Sequence, residues 1–209
     1  MAASAGDAID VEHAFVRALL EHLPGTDPER TARQLIAEFG TLAAATAAAP
    51  HRLLKVCGGD PAPAGRILAF RQTMLHVLGT AMRSRPVLVG SGALLDYLRA
   101  DMAFAPVERF RVLHLNCRNM LIRDEIVSRG TVDGASIYIR EIVARALELG
   151  STGLIVVHNH PSGDPSPSVE DVNVTRRLME ATRAFDIELH DHVIVGAGGC
   201  TSLRASRLL

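Results

Sequence analysis

Leu154-Ile155-Val156-Val157-His158-Asn159-His160-Pro161-Ser162-Gly163-Asp164-Pro165-Ser166-Pro167-Ser168-Val169-Glu170-Asp171 reads as a buried strand ending in two histidines, a stiff turn, and a helix start that carries an acid. Side chains two apart on a strand share a face, so His158 and His160 converge, with Cα atoms roughly 6.5 Å apart, and Asn159 points the other way. Zinc takes imidazole nitrogen and carboxylate oxygen at about 2.0 to 2.2 Å, and a catalytic site uses three protein ligands and leaves the fourth position to water. Asp171 is the natural third ligand.

Each of these residues also has a plainer reading. Ser168-x-x-Asp171 is a capping arrangement, with Ser168 closing the helix N-terminus and Asp171 in the first turn, where the dipole favours an acid. Two histidines at a strand end can be an ordinary surface pair. The conjunction decides against those readings taken alone: His-x-His, seven residues, Ser, two residues, Asp, with Pro161, Pro165 and Pro167 stiffening the turn that carries the acid back to the histidines. The expected occupant is Zn²⁺, held by His158, His160 and Asp171.

Around this segment the periodicity is that of an α/β unit. Arg109 to Asn116 and Leu121 to Ser128 read as strands of a hairpin joined by Cys117-Arg118-Asn119. Ile137 to Leu149 is an amphipathic helix with Ile142, Val143, Ala146 and Leu147 on one face and Gly150 as its stop. Ser168 to Ala184 is a helix, and Ile187 to Val195 a strand. On that strand His190 and His192 are expected to share a face, where they could support the metal ligands as hydrogen-bonding partners.

Residues 10 to 83 carry helical spacing and almost no strand signal. Val11, Ala14, Phe15, Ala18, Leu19 and Leu23 recur at three and four until Pro24-Gly25. Further helices are read from Asp27-Pro28 to Gly40, over Leu42 to Ala49, and from Arg66 to Met82. Ser84 to Gly92 reads as a linker, and Ala93 to Arg99 as a helix leading into the second unit. The expected division is a helical domain at 1–83, a linker with a helix at 84–107, and an α/β domain at 108–209.

With 209 residues, 48% of them hydrophobic, the chain can bury one sizeable core or a core with a small satellite. No apolar run is long enough to span a bilayer and no secretory leader is recognisable, so no membrane partner and a cytoplasmic location are expected. Cys57, Cys117 and Cys200 form no C-x-x-C pair and read as small buried hydrophobes. A net charge of -1 gives no global attraction to nucleic acid. His13, His22, His51, His76 and His114 have no partner at ligand spacing.

The block from His158 to Asp171 resembles the motif of the JAB/MPN (JAMM) metalloproteases, and the chain is more closely similar to the bacterial RadC-like family. That second resemblance is carried by Arg129-Gly130-Thr131-Val132, Arg140-Glu141-Ile142-Val143, the block from Val157 to Asp171, and Leu189-His190-Asp191-His192-Val193-Ile194-Val195-Gly196. It implies a cytidine-deaminase-like three-layer domain, a mixed sheet with flanking helices, preceded by a small all-helical domain. It also implies zinc on His158, His160 and Asp171, and hydrolysis of a peptide or isopeptide bond in an unknown peptide or protein substrate. By the same resemblance Glu125 is the candidate general base, with Glu141 its competitor, and Ser168 the donor to a developing oxyanion.

Members of this family often carry the label of DNA repair proteins, and an accessory role in repair or recombination is the alternative reading. The turn Val56-Cys57-Gly58-Gly59-Asp60 sits where their helix-hairpin-helix element is expected. This copy has adjacent glycines, an anionic Asp60, and Pro61 and Pro63, which donate no amide; eight basic and eight acidic side chains balance over 1–83. Those departures leave DNA a weaker candidate partner than a peptide.

Overall fold

The computed structural model describes residues 5–87, 92–130 and 137–209. Thr131 and Val132 of the family-like stretch, and part of the expected linker, lie outside the described residues. The chain divides into two units, Met1–His76 and Val77–Leu209.

The first unit is helical, as expected, but its first helix buries Val16 and Leu20 while Val11, Ala14, Phe15 and Ala18 of the expected apolar stripe are exposed. It contains α1 (Ala5–Leu20), α2 (Pro28–Phe39), α3 (Leu42–Ala47), α4 (Pro50–Val56) and the first part of α5 (Pro61–Arg83). Val16, Leu20, Ala32, Leu35, Leu53 and Ile67 form its dry core. Helix ends follow local chemistry: Asp27 accepts from Arg30 N at 3.1 Å to cap α2, and Gly40 closes it at φ 79°. α1 stops before Pro24 because His22 already adopts a left-handed backbone at φ 64°.

α4, the turn and α5 form a helix-turn-helix in which Gly58 (φ 67°) and Gly59 (φ 85°) take conformations that side chains disfavour. The amides of the turn are committed internally. Gly58 N donates to Lys55 O at 3.1 Å and Gly59 N to Leu54 O at 2.9 Å, while Asp60 Oδ1 accepts from Ala62 N at 2.9 Å. A phosphate approaching this turn meets a carboxylate where a phosphate-binding hairpin offers free amides.

The second unit is a three-layer sandwich around a five-stranded mixed sheet of order β2-β1-β3-β4-β5. β1 (Arg109–Leu115) and β2 (Leu121–Arg129) form the expected antiparallel hairpin, and the Asn116 side chain closes its turn by accepting from Arg118 N and Met120 N at 2.9 and 3.0 Å. After α7 (Ile139–Glu148), β3 (Gly153–Asn159) pairs antiparallel with β1, and α8 (Val169–Arg183) crosses over to β4 (Glu188–Gly196), parallel to β3. β5 (Gly199–Ser202) adds an edge through a tight hairpin. Four half-buried residues without alternation gave the sequence no sign of it.

α6 (Gly92–Met102) lies on one face of the sheet and is more than a lead-in. Leu94, Leu98 and Met102 pack against Leu113, Leu115, Ile155, Val157 and Val193. α7 and α8 cover the other face, over Phe110, Val112, Leu154, Val156 and Leu189. The central strands β1 and β3 are thus buried on both sides, which is why Leu154 to Val157 reads as a continuous apolar run. Leu147, expected on the buried face of α7, is 50% exposed. The buried stripe centres on Ile142 and Ala146, and Leu147 lies about 100° around the helix from Ala146.

Beneath α6, Arg111 is buried between two acids, at 2.5 Å from Asp101 and 3.2 Å from Asp124. Tyr97 donates to Asp124 at 2.8 Å, and burial together with the Asp124 charge pushes its hydroxyl up to about 12. Asp124 therefore points into the α6 layer, and its neighbour Glu125 into the opposite one.

Candidate metal centre

Register places the cluster. His158 lies opposite Phe110 of β1, on the face covered by α8, and His160 follows it just past the end of β3. The turn after His160 is fixed against the end of β4: His160 N donates to Val195 O and Gly198 N to Gly163 O, both at 2.9 Å. Gly196 makes this approach possible, since a Cβ there would sit 2.3 Å from Gly163 O. The proline-bearing loop then returns to Ser168, which caps α8, and sets Asp171 in the first helical turn.

The ligand atoms meet. His158 Nε2 is 2.9 Å from His160 Nε2 and 3.0 Å from Asp171 Oδ1, and His160 Nε2 is 3.5 Å from Asp171 Oδ2. A tetrahedral ion with bonds of about 2.0 to 2.1 Å sets its ligand atoms about 3.3 Å apart, so the spacing fits zinc without rebuilding the backbone. The proton count fits as well. His160 Nδ1 lies 2.9 Å from Asp164 O, a carbonyl that can only accept, so that nitrogen carries the proton and Nε2 of the neutral ring offers a lone pair. His158 is buried, whereas the side chains of His160 and Asp171 keep 20% and 14% exposure, so the cluster opens to solvent on their side. Among the described residues this is the group of histidine, cysteine and acidic side chains able to share one ion.

The capping reading of Ser168-x-x-Asp171 holds, and it leaves a second carboxylate oxygen for the histidines. Ser168 N and Oγ donate to Asp171 Oδ2 at 2.7 and 2.6 Å, and Asp171 N donates back to Ser168 Oγ at 3.1 Å. One carboxylate oxygen thus completes a capping box while the other faces His158. Burial pushes the Asp171 carboxyl up, but His158 and the two Ser168 donors outweigh it and hold the group well below the usual carboxylate range.

Glu125 is not brought into this cluster. It faces Val112, two residues along β1 from Phe110 and on β1's far side from β3, so its Cα lies roughly 12 Å from that of His158 by strand spacing. Its carboxylate is clamped by Arg145, with Nη2 at 2.7 Å and Nε at 3.1 Å, and those hydrogen bonds hold it below the usual range. Glu141 is exposed on α7, paired with Arg140.

His190 and His192 do not share a face. A bulge between Leu189 and Asp191 breaks the alternation, so Leu189 packs under α7 and α8 while Val193 packs under α6. His190 lies over Gly153 and bonds Asn119 Oδ1 at 3.0 Å, away from the metal cluster. His192 is fully buried behind His158, its Nε2 2.7 Å from His158 Nδ1, and burial pushes it down to about 3. Phe110 stacks at 6.2 Å on the His158 ring and sets its edge against His192. Thr175 was not singled out in the sequence; it is a mid-helix threonine whose role appears only when α8 packs on β4.

Compared with known proteins, residues 89–208 match the family profile of the RadC-like JAB domain. A protein of Rhodobacter capsulatus, named UPF0758 protein, is 43% identical over 191 residues, which cover 91% of this chain and 89% of that one.

Proposed function

The chain belongs to the RadC-like JAB domain family, and from that premise we propose that it is a zinc-dependent hydrolase of the JAMM type, acting on a peptide or isopeptide bond. The observation that carries the reading is the convergence of His160 Nε2 and Asp171 Oδ1 on His158 Nε2, at 2.9 and 3.0 Å, with the other His160 nitrogen tied to a carbonyl. Zinc in such a site lowers the pKa of its water to about 7 and polarises a carbonyl.

The chain's own residues do the rest. His158, His160 and Asp171 hold the ion, and the exposed side of His160 and Asp171 admits a substrate. The Ser168 hydroxyl now spends its proton on Asp171 Oδ2, so serving a developing oxyanion means exchanging that partner. Glu125 is the proposed proton acceptor. To act, its carboxylate must leave Arg145, and the released group loses the hydrogen bonds that now depress its pKa.

The test compares zinc content and cleavage of a peptide library by wild type, His158→Ala and Glu125→Gln. Stoichiometric zinc lost in His158→Ala, with cleavage lost in both variants, is the expected result. Equal cleavage by wild type and Glu125→Gln removes Glu125 as the base, and absence of zinc from wild type removes the metal reading.

A further inference from the structure

We propose that His192 and Thr175 are positioning residues that fix His158 as the tautomer protonated on Nδ1, so that its Nε2 lone pair faces the ion. The inference rests on the metal-centre reading and deepens it.

The Thr175 hydroxyl reaches two partners: the main-chain carbonyl of Asp171, one helical turn earlier, and His192 Nδ1 at 2.5 Å. A carbonyl can only accept, so it takes the single hydroxyl proton, and the threonine oxygen accepts from His192 Nδ1–H. The His192 ring is fully buried, with Phe110 at its edge, and among the described residues no carboxylate is hydrogen-bonded to it. The nearby Asp171 carboxylate favours a charge on the ring, but the dry, buried site disfavours one more strongly, so the ring is neutral and its Nε2 is bare. That nitrogen accepts from His158 Nδ1–H across 2.7 Å. One hydroxyl therefore sets the proton positions on two imidazoles, and the chain of bonds runs from ligand His158 back to the helical turn that carries ligand Asp171.

The consequence for binding is directional. A threonine oxygen that could not accept leaves His192 Nδ1–H without a partner in a dry site, and this penalty falls on the arrangement the metal needs. Partners behind metal ligands typically change metal affinity by about 10- to 100-fold. Thr175→Val, nearly the same shape without the hydroxyl, is expected to weaken zinc binding within that range, and Thr175→Ser to restore it close to wild type.

The experiment has two readouts. Zinc affinity is measured by competition with a chromophoric chelator for wild type, Thr175→Val and Thr175→Ser, with circular dichroism confirming that all three fold. Nitrogen-15 NMR of the metal-free wild type then reports which ring nitrogens of His192 and His158 carry protons. Protonated Nδ1 on both rings, a bare Nε2 on His192, and weakening confined to Thr175→Val are the expected results. A protonated His192 Nε2, unchanged affinity in Thr175→Val, or equal weakening in Thr175→Ser overturns the proposal. Wild type that binds no zinc refutes the metal reading instead, and the NMR measurement still decides the relay.

Discussion

Asp171 holds two jobs on one carboxylate, and two substitutions separate them. Oδ2 accepts from Ser168 N and Oγ at 2.7 and 2.6 Å, and Oδ1 faces His158 Nε2 at 3.0 Å. Asp171→Asn keeps an oxygen able to accept from Ser168 N, so the cap survives, and the metal-free protein loses the charge at the helix N-terminus, about 0.3 to 1 kcal/mol, together with the carboxylate's contact to His158. Asp171→Ala removes the box as well and costs about 1 to 2 kcal/mol in the metal-free state, a few degrees of melting temperature. Zinc responds differently. A complete four-ligand site is worth about 10 to 16 kcal/mol, so losing one anionic ligand removes roughly 3 kcal/mol, or about 100-fold in affinity, in both variants. The assays are thermal melts followed by circular dichroism in excess chelator, and zinc competition titrations. Asp171→Asn that binds zinc as tightly as wild type would refute the ligand assignment; Asp171→Ala that melts like Asp171→Asn would refute the capping contribution.

Three further outcomes are expected. Ser168→Ala, which deletes the hydroxyl of the capping box, lowers metal-free stability by about 1 kcal/mol and leaves zinc affinity within tenfold of wild type; a 100-fold loss of zinc would show that the serine does more than orient Asp171. Gly196→Ala places a Cβ 2.3 Å from Gly163 O, shifts the turn that holds His160, and costs about 1 to 3 kcal/mol together with a measurable loss of zinc affinity; unchanged affinity in a folded variant contradicts the packing argument. Tyr97 titrates near 12 in the folded protein, so below pH 10 it is protonated folded and unfolded alike and its contribution is complete. Between pH 10 and about 12 the unfolded chain releases the proton first, and stability falls as pH rises by about 2 to 3 kcal/mol in all. Denaturant titrations of wild type and Tyr97→Phe across that range check it, since the variant should lack the slope.

The residues of the histidine–aspartate cluster were legible because they obey short-range rules. Strand alternation put His158 and His160 on one face and Asn159 on the other, where it accepts from Arg109 N and donates to the Ala105 and Val107 carbonyls. The capping pattern placed Asp171 in a first turn. His190 shows where such rules stop, since a single bulge in β4 sent it to the face opposite His192. No local pattern announces a bulge whose cause is pairing with a neighbouring strand. Glu125 shows a second boundary. The residue type and its strand were readable, whereas its partner Arg145 comes from a helix twenty residues later.

By itself, then, the sequence determined the helical first half, the α/β character of the second, and the two histidines and aspartate that can share an ion, because periodicity, caps and spacing act within a few residues. Only the tertiary structure decided what stands behind and beside them. The packing of α8 on β4 brought Thr175 to His192 and His192 to His158, and the sheet register that sets Glu125 across β1 from His158 left it with Arg145 as its partner. These are contacts between residues 17 to 34 positions apart in the chain, and they exist only once the sheet has assembled and buried them. Burial then sets their chemistry, making the His192 ring neutral and the direction of its hydrogen bonds consequential.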